Sequence, residues 1–183
     1  MFGLLITWLP SYLKTTFHTS LLGSAGLAAV PWGVATVADL AIGGWLVDYL
    51  IRKGYEPTRV RKTILVAGMV LGLAIVGAAF TKNIYVAITF VSIALAGVAF
   101  HAPVGWSIPG LIAPKGSVGT IGGIMNCFNN LANAAAPIAT GYIVQTTGSF
   151  TLALSTAGIV LFIGIISYVF VLGKIEPIPD PAA

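Results

Sequence analysis

Met125-Asn126-Cys127-Phe128-Asn129-Asn130-Leu131-Ala132-Asn133 sets side-chain amides at positions i, i+3, i+4 and i+7. On a helix those positions share one face. The stretch lies in a run that holds no Asp, Glu, Lys or Arg between Lys115 and Lys174. Such a run suits lipid, yet an amide buried without a partner is costly. The stripe therefore needs a protein or water neighbour, and it predicts a membrane helix that lines something hydrophilic.

Outward from the stripe, the chain of 183 residues is 57% hydrophobic and 8% charged, with a mean hydropathy of +0.98. A soluble domain carries roughly 25% charged residues, so the composition is that of an integral membrane protein. Apolar spans cover residues 1–13, 21–51, 63–80, 84–108, 119–145 and 150–172. Backbone groups in lipid must be satisfied within helices or a closed barrel. Strand-period alternation is absent, which argues against a barrel. The expected fold class is an all-α membrane protein with six transmembrane helices, residues 1–173 forming the bundle and 174–183 a cytoplasmic tail.

The net charge is +4. The basic residues are few and sit at span ends, which is a membrane pattern rather than a nucleic-acid one. Arg52, Lys53, Arg59, Arg61 and Lys62 follow the second span, Lys115 follows the fourth, and Lys174 is in the tail; Lys14 and Lys82 occupy the alternate loops. The positive-inside rule then puts both termini in the cytoplasm of a multi-pass protein of the inner or plasma membrane. Cys127 stands alone, so no internal disulfide is expected. No cofactor, metal cluster, lipidation motif or cleavable signal peptide is expected either. The first span, as a helix, would rise about 20 Å against a hydrocarbon core of about 30 Å. The expectation is a chain that begins inside a longer helix, as a piece of a larger protein.

Several polar residues interrupt the apolar spans. Asp39 lies roughly 13 Å deeper than Asp48 at helical rise; it is a candidate cation or proton site, or a hydrogen-bonded structural acid. His101 could relay a proton or bind a carboxylate, or pack as a plain imidazole. Trp106 and Ser107 follow Pro103, which loosens its helix as in the broken helices of transporter sites. Gly68 with Gly72, and Gly119 with Gly123, predict close helix approach. Pro137 is expected to bend the outer part of the fifth span.

The most specific string is Gly43-Gly44-Trp45-Leu46-Val47-Asp48-Tyr49-Leu50-Ile51-Arg52-Lys53-Gly54. Asp48 and Arg52 stand four apart, acid first, the favourable order for a helix pair. The string resembles the glycine–acid–basic signature of the major facilitator superfamily through Gly44, Asp48, Arg52 and Lys53, although the glycine between acid and basic pair is replaced. Thr7-Trp8-Leu9-Pro10-Ser11-Tyr12-Leu13, Pro103-Val104-Gly105-Trp106-Ser107 and the stretch from Asn126 to Phe150 resemble the seventh, tenth and eleventh helices of its anion:cation symporter branch. The likeness covers nearly the whole chain. It implies the C-terminal six-helix bundle of a sugar-acid or organic-anion transporter, with its first helix truncated.

That resemblance implies proton-coupled transport of small organic anions by alternating access, with no catalytic residue. Trp106, Ser107 and Asn126 would lie near the anion, Asn129, Asn130 and Asn133 would meet sugar hydroxyls or else tie helices together, and His101 is a further candidate contact. Asp39 would be a possible coupling acid, and Gly44, Asp48, Arg52 and Lys53 a conformational motif. The implied partners are the substrate anion, protons, the lipid bilayer and an N-terminal six-helix half or a second copy. The fragment alone is not expected to transport. The alternatives are a non-transporting six-helix protein, a homodimer of halves, or an intramembrane enzyme. The last needs a nucleophile with an oriented base; Gly23-Ser24-Ala25-Gly26 is not a nucleophile elbow, and His18 falls in a loop.

Overall fold

A backbone without water must close its hydrogen bonds inside each segment. The computed structural model describes residues 1–179, with Leu21 in its backbone alone, and the described residues form helices and connections without a strand. Helix α1 is Phe2–Phe17. A second rod joins α2 (Leu21–Ala38), a π-helical stretch Asp39–Leu46 and α3 (Val47–Arg52). A third joins α4 (Pro57–Gly72) and α5 (Ala74–Phe80). Then follow α6 (Ile84–Ile112), α7 (Val118–Thr147), and a last rod of α8 (Phe150–Ile166) ending in a π-helical stretch Ser167–Val171.

Leu22–Arg52, Pro57–Phe80, Ile84–Ile112 and Phe150–Val171 are long and apolar enough to cross a membrane. The 16-residue α1 falls short of the roughly 20 residues a crossing needs. The amide-bearing α7 is long but more polar. Helix α1 runs on past residue 13 to Phe17 and ends where His18 takes a left-handed conformation (φ 54°). Helix α7 continues through Pro137 without a break.

Helix α6 is the central stave. It meets α4 where both backbones are bare: a Cβ on Gly68 would lie 2.5 Å from the Gly97 carbonyl oxygen. It meets the π-helical stretch of the second rod at Gly43, where a Cβ would lie 2.5 Å from the Phe100 carbonyl oxygen and 2.6 Å from Pro103 Cγ. A larger core gathers Leu5, Leu9, Leu13, Ile75, Val91 and Leu95; a smaller one, nearer the basic loop, holds Val47, Leu65, Phe100 and Val104.

The two ends of the bundle close differently. At one end the Tyr12 hydroxyl donates to the Ala78 carbonyl at 2.7 Å, and the Thr151 hydroxyl to the Ala79 carbonyl at 3.1 Å. These are carbonyls of the last turn of α5, which no backbone amide inside the helix can reach. At the basic end the chain after the last rod folds back. The Lys62 ammonium donates to the Leu172 carbonyl, the Ile175 amide to Thr58 Oγ1 at 3.3 Å, and the Ile178 amide to the Ile112 carbonyl at 2.9 Å.

Candidate functional site

The amide stripe on α7 divides in two. Asn130 Nδ2 donates to the Asn126 side-chain oxygen at 3.0 Å and to the Asn126 carbonyl at 2.9 Å, so this pair bonds along the helix face and not to a neighbouring helix. Asn133 instead ties helices together: its Oδ1 accepts from the Gly3 amide of α1 at 3.1 Å, and its Nδ2 donates to the Asn129 carbonyl at 3.0 Å. The proline four residues on cannot donate to the Asn133 carbonyl, and α1 approaches closely there. A Cβ on Gly3 would lie 2.5 Å from that oxygen. Further along the same seam, Trp8 Nε1 donates to the Pro137 carbonyl at 3.0 Å.

Beneath α7 lies a chamber of about 580 Å³, bounded by α1, α4, α6, α7 and the last rod. Its polar lining comes from His101 and Trp106 on α6, Asn129 and Asn133 on α7, and Tyr168 on the terminal π-helical stretch. The His101 and Tyr168 rings meet edge to face, with centroids 6.3 Å apart. His101 Nδ1 lies 2.9 Å from the Val98 carbonyl. A proton on Nδ1 makes that bond and leaves Nε2 as an acceptor. The lining thus offers amide donors and acceptors, an indole N–H, an imidazole nitrogen and a phenol. It contains no Lys, Arg, Asp or Glu. Such a set can hydrogen-bond a polyhydroxylated solute from several sides, and none of its side chains carries a full charge.

Of the residues singled out from the sequence, His101, Trp106 and Asn129 meet in this chamber, with Asn133. Ser107, Asn126 and Asn130 do not line it. The Ser107 hydroxyl donates to the Val104 carbonyl at 2.7 Å, and Asn126 and Asn130 are exposed on α7. Asp39 opens the π-helical stretch of the second rod, half-exposed and away from the chamber. In the signature string Gly43 makes the close crossing, while Gly44 faces open space. Arg52 Nε donates to the Asp48 carbonyl at 3.3 Å and not to its carboxylate, so the side-chain pair anticipated from the spacing does not form. Among the described residues the ion pair within 4 Å is Arg59 with Glu56. Asp48, Arg52 and Lys53 are exposed; the Lys53 ammonium sits 5.5 Å from the Tyr49 ring centre.

Tyr168 and the three chamber methionines, Met1, Met69 and Met125, were not anticipated. Met69 and Tyr168 sit in uniformly apolar spans, and nothing in a single span tells which of its faces turns to a cavity built with other helices.

An apolar helical bundle around an amide-lined chamber has the build of a solute transporter. The known proteins that the chain resembles are of that class. No family model matches the chain. It is 47% identical over 178 residues to the uncharacterised transporter YybO of Bacillus subtilis, a match that covers 97% of this chain and 41% of that protein. It is 36% identical over 173 residues to the "Probable galactarate/D-glucarate transporter GudP" of Escherichia coli, covering 94% and 38%. With a D-galactonate transporter of Escherichia coli it shares 31% over 171 residues, covering 93% and 39%. The chain thus spans about two-fifths of the length of the relatives it matches. It is a homologue of bacterial sugar-acid transporters, and the family resemblance drawn from its sequence holds over nearly its whole length. Its apolar helices and these relatives make it a multi-pass membrane protein, and the relatives are transporters rather than enzymes.

Proposed function

We propose that these residues form the C-terminal six-helix half of a proton-coupled transporter of the major facilitator type, which carries small sugar-acid anions by alternating access. The observation that supports this most is the chamber of about 580 Å³ lined by His101, Trp106, Asn129, Asn133 and Tyr168. In this reading those side chains meet the hydroxylated carbon chain of the substrate. The lining has no Lys or Arg side chain, so the carboxylate is received by a second bundle across the route, in keeping with sites that lie between the halves of such transporters. The exposed amides of Asn126 and Asn130 point the same way, because lipid would leave them without outside partners. With Ser107 they would form the rim of the route.

The chamber runs from the level of Asn133 toward Ile112 and Ile121, the end of the bundle that carries the basic loop. With that loop and both termini on the cytoplasmic side, the substrate reaches the chamber from the cytoplasm in this conformation. Gly44, Asp48, Arg52 and Lys53 would act against the opposing bundle as it rocks; their exposure suits that role. Asp39, at the start of a π-helical stretch, is the coupling candidate in this half, since such stretches gather at functional sites.

The test is uptake of labelled galactarate and galactonate into proteoliposomes under an imposed pH gradient. The 183-residue chain alone is expected to give none. Co-expression with the part of the YybO relative that this chain does not match is expected to restore it. Uptake by the chain alone, or none by the pair, overturns the proposal.

A further inference from the structure

A second concavity, of about 470 Å³, lies on the outside of the bundle between α4 and the terminal π-helical stretch. Lys62, Thr63, Val66, Ala67 and Val70 line it from α4, at spacings that share one helix face. Tyr168 and Val169 line it from the last rod. It is therefore apolar along most of its length and carries one ammonium at the basic end. Arg59 and Arg61 stand in the same first turns of α4. The nearest acid in sequence, Glu56, is already engaged by the Thr58 and Arg59 amides and by the Arg59 guanidinium. Of the tail's acids, Glu176 does not line the groove.

We propose that this groove is a binding site for one anionic phospholipid, its phosphate on Lys62 and one acyl chain along Val66, Ala67 and Val70. The argument is one of complementarity. A basic residue at the end of an interhelical groove matches an anionic headgroup, and the apolar face beyond it matches the chain below. An ammonium has three donors. The Leu172 carbonyl takes one, which anchors the ammonium and leaves two for phosphate oxygens. Tyr168 lines both this groove and the central chamber. A seated acyl chain therefore supports one wall of the substrate chamber from behind.

The plain alternative is that Lys62 only caps the last rod. Native mass spectrometry of the purified chain separates the two, with equimolar phosphatidylglycerol and phosphatidylcholine of the same acyl composition as probes. The wild type is expected to retain one phosphatidylglycerol and little phosphatidylcholine. Lys62→Gln should weaken that retention about fivefold, the worth of one basic residue at a membrane surface. Lys62→Arg should keep it. Val70→Trp, at a half-exposed rim position, should reduce it similarly by filling the groove while leaving Lys62 on its carbonyl. An unchanged circular-dichroism melt of Val70→Trp separates loss of lipid from loss of fold. Equal retention of both lipids, or phosphatidylglycerol retention untouched by Lys62→Gln and Val70→Trp, overturns the proposal.

Discussion

Helices α6 and α7 are almost equal in length, 29 and 30 residues, and both carry proline inside, Pro103 and Pro109 in α6 and Pro137 in α7. Twelve residues of α6 are buried; on α7 only Thr140 is, among the described residues. The glycines show why. Gly97 of α6 lies against the α4 backbone at Gly68, whereas Gly119, Gly122 and Gly123 of α7 meet nothing within 4 Å. On α6 small residues spend their closeness inside this bundle; on α7 Gly141 does so against Trp8, and the glycines at the start of the helix do not. One is a stave that holds the bundle together. The other is a wall, held at one seam by Gly3 and Trp8, whose remaining surface is free for a neighbour.

The largest expected effect tests the stave. Gly97→Leu forces a branched side chain into the α4 backbone, and overpacking of that kind costs about 3 kcal/mol. The helical signal should melt markedly earlier than in the wild type. Gly123→Leu on α7 should melt as the wild type does. Equal melting of the two variants would abolish the distinction between stave and wall.

The second effect belongs to the chamber. Asn129→Leu removes an amide that faces the proposed substrate, and a lost hydrogen bond to a bound solute is worth about 1 kcal/mol or more. Galactarate binding, measured by calorimetry in the transport-competent pair, should weaken about tenfold with little change in the melt. Asn126→Leu should weaken it less, because Asn126 is turned to Asn130. If Asn126 proves the more important of the two, the substrate sits further toward the opposing bundle than the chamber implies.

The same contrast explains what could be foreseen from sequence. The apolar rods are legible because lipid imposes length and hydropathy on each helix separately, and four of them are long and apolar enough to cross a membrane. The amide stripe is legible because it repeats within one helix, and His101, Trp106 and Asn129 stand out as polar groups in apolar surroundings. The partition of the stripe was not legible. Whether Asn133 bonds Gly3, or Asn130 bonds Asn126, depends on where α1 lies and on side-chain torsions that spacing leaves open. Gly43 and Gly44 are adjacent and chemically identical, so only the placement of α6 decides which one it touches. Asp48 and Arg52 keep their regular spacing on α3, so side-chain torsions alone decide that Arg52 turns to the Asp48 carbonyl and not to its carboxylate. Tyr168 lines the chamber from the terminal π-helical stretch, a local winding that the apolar sequence around it does not announce.

Helix beginnings sharpen the comparison at smaller cost. Asn83 Oδ1 accepts from the Tyr85 and Val86 amides at 2.9 and 3.4 Å and caps α6, whereas α7 begins after Ser117 with no side-chain cap. Asn83→Ala should lower stability by about 1 kcal/mol in equilibrium unfolding. Ser117→Ala should leave it unchanged. An equal loss from both would mean that α7 is anchored at its start as firmly as α6.

The smallest effect separates two caps by pH. Helix α4, the partner of α6 at the glycine crossing, begins at Glu56, whose carboxylate accepts from the Thr58 and Arg59 amides at 3.0 and 2.9 Å. Desolvation nudges that carboxyl upward, but the amide hydrogen bonds from Arg59 and Thr58 and the Arg59 charge outweigh it and hold the group below its usual value. A carboxyl lowered in this way adds stability above its unfolded-state pKa and loses it as pH falls through the folded one. Hydrogen-exchange protection of the Thr58 and Arg59 amides should therefore drop on acidification, while that of Tyr85 and Val86, under the uncharged Asn83, stays level. Glu56→Gln should remove the acid response. A parallel fall at both helix starts would place its origin in the α4–α6 crossing they share and not in the Glu56 cap.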